Sequence, residues 1–303
     1  MVKETLRVNR REGREHTKVA AENWSGHDAK GEKETFVQAL ANSSTAQMFV
    51  ITSLIVLSPP FCAAASFVTN KLPNSSLAEI SKFGAVEFFY EAFASGGWVG
   101  SAAAVKIVGA MFGAGLLFYY VPAKEYSCSV TPTGHVPKYL DNGLHHLYGT
   151  TLLFFGGVVL GFWEGSVLFD HAHETVLFCN AFGLVFCAFL YFKGLYAPSC
   201  TESGSLGNGF INDYWHGTDQ YPRLFGIDVK LMINCRFSMM YWFLMSISCI
   251  FASYKYNNYL DPAVLYCGAL QAIYLWKFFK WESGYMNSID IIVDRGGFMI
   301  LWG

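Results

Sequence analysis

The densest group of ionisable residues in the apolar part of the sequence lies near its end. Within 19 residues stand Lys277, Lys280, Glu282, Asp290, Asp294 and Arg295, interspersed with Trp281, Tyr285 and Phe298. Charges flanked by apolar segments are costly in lipid and usually face a cavity or each other. A buried carboxylic acid with a raised pKa could donate a proton to an apolar substrate. An interfacial cluster that reaches toward lipid headgroups is the structural alternative.

Spacing adds detail to this group. Asp290 and Asp294 are four residues apart, so on a helix they would share a face, and Arg295 is adjacent for pairing. Arg236, near the start of an apolar run, and Arg223, in the loop before it, are further cations that could take part.

Histidine and cysteine spacing does not predict a metal site. A membrane di-iron centre needs several convergent imidazoles, yet His145-His146 has Asn142 where a third ligand would stand. His171-Ala-His173 has the one metal-like spacing, within a short loop. The eight cysteines form no Cys-Xaa-Xaa-Cys pair, and most lie in apolar runs, so neither a zinc site nor a disulfide framework is indicated.

The glycine cluster GSLGNG (residues 204–209) is also a weak candidate for phosphate binding. It matches neither GxGxxG nor a P-loop, and it does not follow a predicted strand. We therefore expect no Rossmann-type nucleotide site in this chain.

The composition indicates which elements must position these residues. Of 303 residues, 53% are hydrophobic and 15% are charged, and residues 1–34 carry 15 of the 44 charges. A soluble domain has about 25% charged residues, so residues 45–303 are too apolar to be one. We predict a polytopic membrane protein with a polar, disordered tail at residues 1–44. The net charge of −2 gives no general basic surface, so no nucleic-acid partner is expected.

Six apolar runs approach the length of about 20 residues that spans a bilayer. They lie at about 46–68, 97–121, 144–163, 175–192, 231–254 and 262–279. Runs of this length predict helices, and Pro59-Pro60 in the first is tolerable where neighbours satisfy freed carbonyls. Residues 83–95 indicate an interfacial or re-entrant piece. The Gly109/Gly113 and Gly157/Gly161 spacings predict close helix packing.

Two further segments stand out. The loop at about 197–230 is long and turns from Gly, Ser and Asn to aromatic and charged residues, which is typical of a functional element. After residue 297 an apolar run of six residues begins, far too short to span a bilayer. The expected fold is thus an all-α membrane bundle of six complete spans and an incomplete seventh, from an incomplete protein.

Three blocks of the sequence resemble the sterol reductase family, and within it the delta-7 (7-dehydrocholesterol) reductases. They are VTPTGHVPKYLDNGLHH (130–146), the stretch 197–242 with Pro222-Arg223 and the NCRF-MM-W pattern, and KFFKWESGYMNSIDIIVDRGGFMILWG (277–303). Tyr221 stands where many members have Asn. The family also includes delta-14 and C-24(28) sterol reductases and the lamin B receptor. The first 44 residues carry no part of the resemblance.

The resemblance implies an enzyme of about ten helices in the endoplasmic reticulum membrane. It would reduce a ring double bond of a sterol with NADPH, with sterol and membrane lipids as partners. Protonating one olefinic carbon needs an acid, and the resemblance suggests Glu282 and Asp290 for donation or relay, with Tyr285 helping. Asp294, Arg295, Arg223 and Arg236 would support them.

The family's NADPH-binding segments have no counterpart here. No cofactor-binding residues are therefore expected in this chain, and we expect the 303 residues alone to be inactive. Two alternatives stay open. One is a non-catalytic sterol-binding or scaffold membrane protein of the same fold, and the other is a delta-14 or C-24(28) reductase.

Overall fold

The computed structural model describes residues 44–72, 77–130, 134 and 136–302. The chain divides into two units, Met1–Gln47 and Met48–Gly303. Of the first unit, the described residues are the opening of a long helix. The predicted tail, residues 1–44, lies outside the described part except for Ser44, so the division into tail and membrane domain stays a prediction.

Helices dominate the described residues. In chain order they are α1 (Ser44–Asn70), α2 (Leu77–Ile80), α3 (Ala85–Ala94), α4 (Ala102–Tyr119), α5 (Gly143–Val159), α6 (Val167–Asp170), α7 (Ala172–Tyr196), α8 (Phe210–His216), α9 (Met240–Asn257), α10 (Pro262–Lys280), α11 (Glu282–Tyr285), α12 (Ile289–Ile292) and α13 (Phe298–Leu301). Two antiparallel hairpins pair β1 (Glu125–Ser127) with β2 (Lys138–Leu140), and β3 (Arg223–Leu224) with β4 (Ile227–Asp228). The predicted helical class is therefore confirmed, with two small hairpins added.

Each of the six predicted apolar runs overlaps one of the long helices. Among the described residues, four helices are long and apolar enough to cross a membrane: Thr45–Asn70, Ala102–Tyr119, Ala172–Tyr196 and Leu231–Asn257. Helices α5 and α10, of 17 and 19 residues, fall outside that group. The protein is thus a multi-pass helical membrane protein, while the count of six spans and an incomplete seventh stays a prediction.

Glycines move two helix ends from their predicted places. Gly97 and Gly100 have φ values of +83° and +87°, so α4 begins at Ala102, where the Ser101 side chain accepts a hydrogen bond from the Ala104 amide. Gly161 has φ +75°, which ends α5 before residue 163. Hydropathy alone does not predict these turns.

The helix ends meet at two ends of the bundle. At one, Lys193 at the end of α7 pairs with Asp219 at 2.6 Å. We call this the loop end, and it comprises residues 120–130, 134, 136–142, 197–230 and 281–302. At the opposite end, Lys71 pairs with Glu174 at 2.8 Å, and Lys255 pairs with Asp170 at 2.9 Å. All the candidate site residues except Arg236, which lies just after residue 230, belong to the loop end.

A hydrophobic core joins α4, α5, α6, α9 and α10. Its buried members are Met111, Leu147, Phe154, Leu168, Met240, Leu244 and Phe279. Van der Waals packing of apolar side chains from five helices fixes their relative positions, since lipid supplies no hydrophobic driving force between helices. The polar groups of the loop end are therefore presented from a rigid support.

The predicted close packing at Gly109 and Gly113 is wrong. A Cβ placed on either residue would meet no heavy atom of the described residues within 4 Å, so no helix approaches α4 there. Gly157 does make a close contact, because an added Cβ would lie 1.9 Å from the Trp163 ring. Gly161 lies in the turn after α5 rather than in a helix interface.

A π-helical segment, Leu231–Met239, leads directly into α9. Its first amide, of Leu231, donates to the side chain of Asp228 at 2.9 Å, which holds the start of the segment on β4. π-Helical turns are rare and occur frequently at functional sites. This one carries Asn234, Cys235 and Arg236.

Candidate functional site

A buried ion pair joins the π segment to α11. Nη1 of Arg236 donates to Oε1 of Glu282, and Nη2 donates to Oε2 at 2.8 Å. The two side chains are 0% and 1% exposed. Complete burial raises the pKa of the Glu282 carboxyl, and the guanidinium opposes that rise. The carboxyl predicted as an acid is thus buried, and it has a permanently charged partner.

Asn142 fixes the guanidinium from the side of α5. Its Oδ1 accepts from Nη2 of Arg236 at 2.7 Å. Its Nδ2 faces the carbonyls at the end of α4, of Phe118, Tyr119 and Val121, at 3.2, 2.8 and 3.2 Å. One side chain therefore ties the end of α4 to the ion pair.

Two residues of α5 shape the space beside the pair. A Cβ on Gly143 would lie 2.9 Å from Oε2 of Glu282 and 2.8 Å from the Phe279 carbonyl, so glycine lets the carboxylate approach the helix. His146 is fully buried, and its Nε2 donates to the Arg236 carbonyl at 3.0 Å. Its Nδ1 then accepts from the Thr150 hydroxyl at 3.3 Å, which is the neutral tautomer.

Further polar groups surround the pair. Asn234 Nδ2 donates to the Tyr285 hydroxyl at 3.3 Å. Burial raises the pKa of Tyr285 to about 12. Nε of Arg236 and the Tyr126 hydroxyl are buried without a hydrogen-bond partner among the described residues. Such atoms are rare in proteins and call for a bound water or ligand group.

Asp290 and Asp294 are placed differently from the prediction. Helix α12 ends at Ile292, so the two residues do not share a helical face. The Asp290 side chain is exposed, and that of Asp294 is half-buried. Arg295 does not pair with either aspartate. It donates instead to the carbonyls of Gly204 and Glu202, at 2.6 and 3.1 Å. The structure brings Glu282, Arg236 and Tyr285 together, and it leaves the two aspartates apart from them.

The loop 197–230 binds the C-terminal segment through backbone carbonyls of residues 291–294. It does not bind the carboxylates of Asp290 and Asp294. Nζ of Lys230 donates to the carbonyls of Ile291 at 2.9 Å and of Asp294. The Tyr221 hydroxyl donates to the Ile292 carbonyl at 3.0 Å. Desolvation lowers the pKa of Lys230 to about 8. Lys230 therefore anchors the C-terminal segment to the start of the π segment.

Asp219 organises the loop 197–230. Besides pairing with Lys193, it accepts from the hydroxyls of Ser199 and Ser203 at 2.8 and 2.6 Å. Burial would raise the pKa of Asp219, but these hydrogen bonds outweigh it and hold the pKa below its ordinary value. The backbone of Arg223 donates to Ser199 Oγ at 2.9 Å, while its side chain is exposed. Arg223 thus lies outside the buried cluster.

Four cations at or near the loop end are not free to bind the phosphates of a dinucleotide. Arg236, Arg295, Lys230 and Lys193 already donate to Glu282, to backbone carbonyls or to Asp219. A phosphate site needs cations or helix N-termini directed at the ligand. Among the described residues these four are committed internally, so no step of NADPH chemistry is assigned to them.

Metal binding has no support in the described residues, where no group of three or more His, Cys, Asp or Glu could hold an ion. The His171-Ala-His173 spacing does not produce one, since His173 is buried against Ser66 Oγ at 2.8 Å and Ser95 Oγ at 3.2 Å. The cysteines are free thiols.

Sequence reasoning missed three residues of the site: Asn142, His146 and Lys230. Asn142 and His146 were inspected as possible metal ligands, and their contacts with the guanidinium and the backbone carbonyl of Arg236 depend on the approach of α5 to the π segment. A lysine directly before an apolar run, such as Lys230, is a signal that could have been followed, because a buried cation needs partners.

Comparison with known proteins assigns the chain to a family. Residues 64–303 match the model of the ergosterol biosynthesis ERG4/ERG24 family. The chain is 37% identical to a 7-dehydrocholesterol reductase of Arabidopsis thaliana over 189 residues, which is 62% of this chain and 44% of that protein. It is 29% identical to a Delta(14)-sterol reductase of Methylotuvimicrobium alcaliphilum, over 63% of this chain and 44% of that protein.

A 7-dehydrocholesterol reductase of Xenopus laevis is 29% identical, over 64% of this chain and 42% of that protein. The chain therefore spans less than half the length of these relatives. The matched region includes α4 to α13, and with them the Arg236–Glu282 pair. This multi-pass helical chain belongs to the ERG4/ERG24 family of sterol biosynthesis.

Proposed function

We propose that the protein reduces the delta-7 double bond of a sterol in the endoplasmic reticulum membrane, with NADPH as reductant. The observation that carries the proposal is the buried Arg236–Glu282 pair in a chain of this family that is 37% identical to a 7-dehydrocholesterol reductase. Reduction of an isolated double bond needs a proton on one carbon and a hydride on the other. The described residues include a candidate donor of the proton, and the proposal assigns none of them to the hydride.

Glu282 is the proposed source or relay of that proton. Burial favours the neutral acid, so Glu282 would take up a proton during turnover and pass it to an apolar substrate, returning to the carboxylate that pairs with Arg236. Arg236 remains charged in either state, so it would stabilise the carboxylate that donation leaves behind. Its two hydrogen bonds to Glu282 support this role.

Tyr285 is proposed to help, because it lies on α11 with Glu282 and its hydroxyl accepts from Asn234. Asp290 is retained as a second candidate for donation or relay from its exposed position on α12. Asp294, Arg295 and Arg223 are proposed to act by holding the segment and the loop. No cofactor-binding role is proposed for Arg236, Arg295, Lys230 or Lys193, since these four cations are committed internally.

The test is sterol profiling of a host that lacks delta-7 reductase and expresses the full-length gene. Loss of the delta-7 double bond is expected, and Glu282→Gln should abolish that loss when turnover is expressed per amount of folded protein. Glu125→Gln is the matched control, because the Glu125 pair with Lys138 is exposed. Persistence of the delta-7 bond with the unaltered gene would overturn the assignment, and full turnover by Glu282→Gln would overturn the role of Glu282.

The second candidate is reduction at delta-14, favoured by the 29% identity to a Delta(14)-sterol reductase. The same profile separates the two, since a delta-14 enzyme removes a different double bond. Unchanged levels of both double bonds would leave the non-catalytic sterol-binding alternative.

A further inference from the structure

Two exposed lysines, Lys277 and Lys280, stand in the last turn of α10. Nζ of Lys280 lies 5.0 Å from the centroid of the Trp276 ring, and the Nζ atoms of both lysines lie 6.0 Å from the centroid of the Trp281 ring. Among the described residues, neither lysine pairs with a carboxylate. We call Trp276, Lys277, Lys280 and Trp281 the basic aromatic cluster.

The helix dipole accounts for these lysines only in part. A cation in the last turn of a helix is favourable by about 0.3–1 kcal/mol. The dipole does not explain why two like charges, which repel each other, converge on one ring. Elsewhere in the described chain, Lys71, Lys193 and Lys255 each pair with a carboxylate. A bound anion would neutralise the cluster in the same way.

The two tryptophans indicate the depth of the cluster in the membrane. Trp276 is held against α5, because its Nε1 donates to the Tyr148 hydroxyl at 2.9 Å. Trp281 is 59% exposed. Tryptophan is enriched where a membrane meets water, and lysines near helix ends extend their charge toward the headgroups. The cluster therefore lies at the level of phospholipid phosphates.

An apolar face of α10 continues from the cluster toward the middle of the helix. Tyr266, Leu270, Ile273 and Tyr274 are between 50% and 66% exposed. Their spacings of three and four residues place them on one side of the helix, in line with Lys277. From Tyr266 to Lys277 the helix rises roughly 16 Å. That length is close to half of the bilayer's hydrocarbon thickness of about 30 Å, so the face matches an acyl chain of one leaflet.

We propose that this side of α10 binds an anionic phospholipid, with the phosphate at Lys277 and Lys280 and an acyl chain along the face from Tyr274 to Tyr266. Charge complementarity selects an anionic lipid, because the lysines carry two positive charges that no described carboxylate balances. A zwitterionic lipid brings a cationic group of its own, which the second lysine repels. Lipid binding here is independent of the proposed reduction.

Native mass spectrometry of the purified chain, released from micelles that contain dioleoyl phosphatidylglycerol or dioleoyl phosphatidylcholine, tests this proposal. The unaltered chain should bind phosphatidylglycerol more tightly. The double variant Lys277→Gln/Lys280→Gln should weaken phosphatidylglycerol binding about thirty-fold, which corresponds to about 2 kcal/mol for two lysines at a membrane surface. Its binding of phosphatidylcholine should be little changed.

Lys124→Gln/Lys138→Gln is the matched control, because both lysines are exposed at the loop end and the net charge changes equally. Its preference for phosphatidylglycerol should equal that of the unaltered chain. Lys277→Arg/Lys280→Arg keeps both charges and should retain the preference. Equal elution from size exclusion and equal melting in detergent show that the variants are folded, which the exposure of all four lysines predicts.

Glycerol phosphate tests the contribution of the acyl chain, because it carries the phosphate alone. At equal concentration it should not displace phosphatidylglycerol, and displacement would overturn the assignment to a lipid.

Equal binding of the two lipids by the unaltered chain would also overturn the proposal, as would undiminished phosphatidylglycerol binding by Lys277→Gln/Lys280→Gln. A dimer that this variant dissociates would assign the face to a second copy of the chain instead. These outcomes report lipid binding rather than turnover, so they leave the sterol-profiling test of the proposed reduction unaffected.

Discussion

Replacing Glu282 by Gln should destabilise the folded chain by about 3–5 kcal/mol, the usual cost of removing one partner from a buried pair. Arg236 is 0% exposed, and its Nε already has no partner among the described residues. After the change the guanidinium keeps the Asn142 oxygen at 2.7 Å as a full acceptor, but it loses the opposing charge. The charge stays buried without compensation.

The free energy of unfolding is measured by denaturant titration of the purified chain in micelles, followed by circular dichroism. Glu125→Gln is the control, since Lys138 and Glu125 have side-chain exposures of 60% and 57%. Exposed pairs contribute about 0–1 kcal/mol, so this variant should remain within 1 kcal/mol of the unaltered chain. A difference of several kcal/mol between the two variants isolates the effect of burial.

The double variant Arg236→Met/Glu282→Leu sharpens the test. Replacing both charges with apolar groups of similar size removes the uncompensated charge, so much of the lost stability should return. The reasoning is refuted if Glu282→Gln costs no more than Glu125→Gln. It is refuted equally if the double variant is less stable than Glu282→Gln.

Three further outcomes are expected. Gly143→Ala should destabilise the chain by about 1–3 kcal/mol, because its Cβ would meet the Phe279 carbonyl at 2.8 Å, whereas Gly156→Ala, in open space, should be neutral or stabilising in thermal melts. The free energy of unfolding should rise with pH between about 8 and 10.5, because the folded state releases the Lys230 proton at about pH 8 while the unfolded chain holds it up to the ordinary lysine pKa of 10.5. Lys230→Met should reduce the slope of this rise by up to about 1.4 kcal/mol per pH unit. An unchanged slope would contradict the assignment. Asp219→Asn should speed trypsin cleavage after Arg223, because the hydrogen bonds to residue 219 from Lys193, Ser199 and Ser203 weaken and the loop opens more often. Asp261→Asn is the control, since asparagine keeps the helix N-cap at that position. Cleavage of Asp219→Asn no faster than that of Asp261→Asn would count against this role of Asp219.

The long helices could be predicted because hydropathy is a local property of the sequence. The run predicted at 175–192 lies within α7, and the run at 262–279 within α10. Helix ends were less accurate, since they depend on single residues with unusual backbone angles, such as Gly100 and Gly161. The packing partners of the helices could not be predicted from the sequence, as the open space at Gly109 shows.

The site was predicted in part. Arg236 and Glu282 were each identified as buried ionisable residues, but they are 46 residues apart, and their pairing depends on the approach of α11 to the π segment. Asp290 and Asp294 were expected on one face because a helix was assumed to continue through them. Helix α12 has four residues, so that expectation failed where the local structure is shortest.

The π-helical segment makes the site sensitive to insertions and deletions rather than to substitutions alone. Its hydrogen bonds run from residue i to i+5, so loss of one residue between Leu231 and Met239 can restore an ordinary α-helix without breaking the span. Each residue of an α-helix turns about 100°. A single-codon deletion would therefore preserve hydropathy and membrane insertion, yet rotate Arg236 away from Glu282.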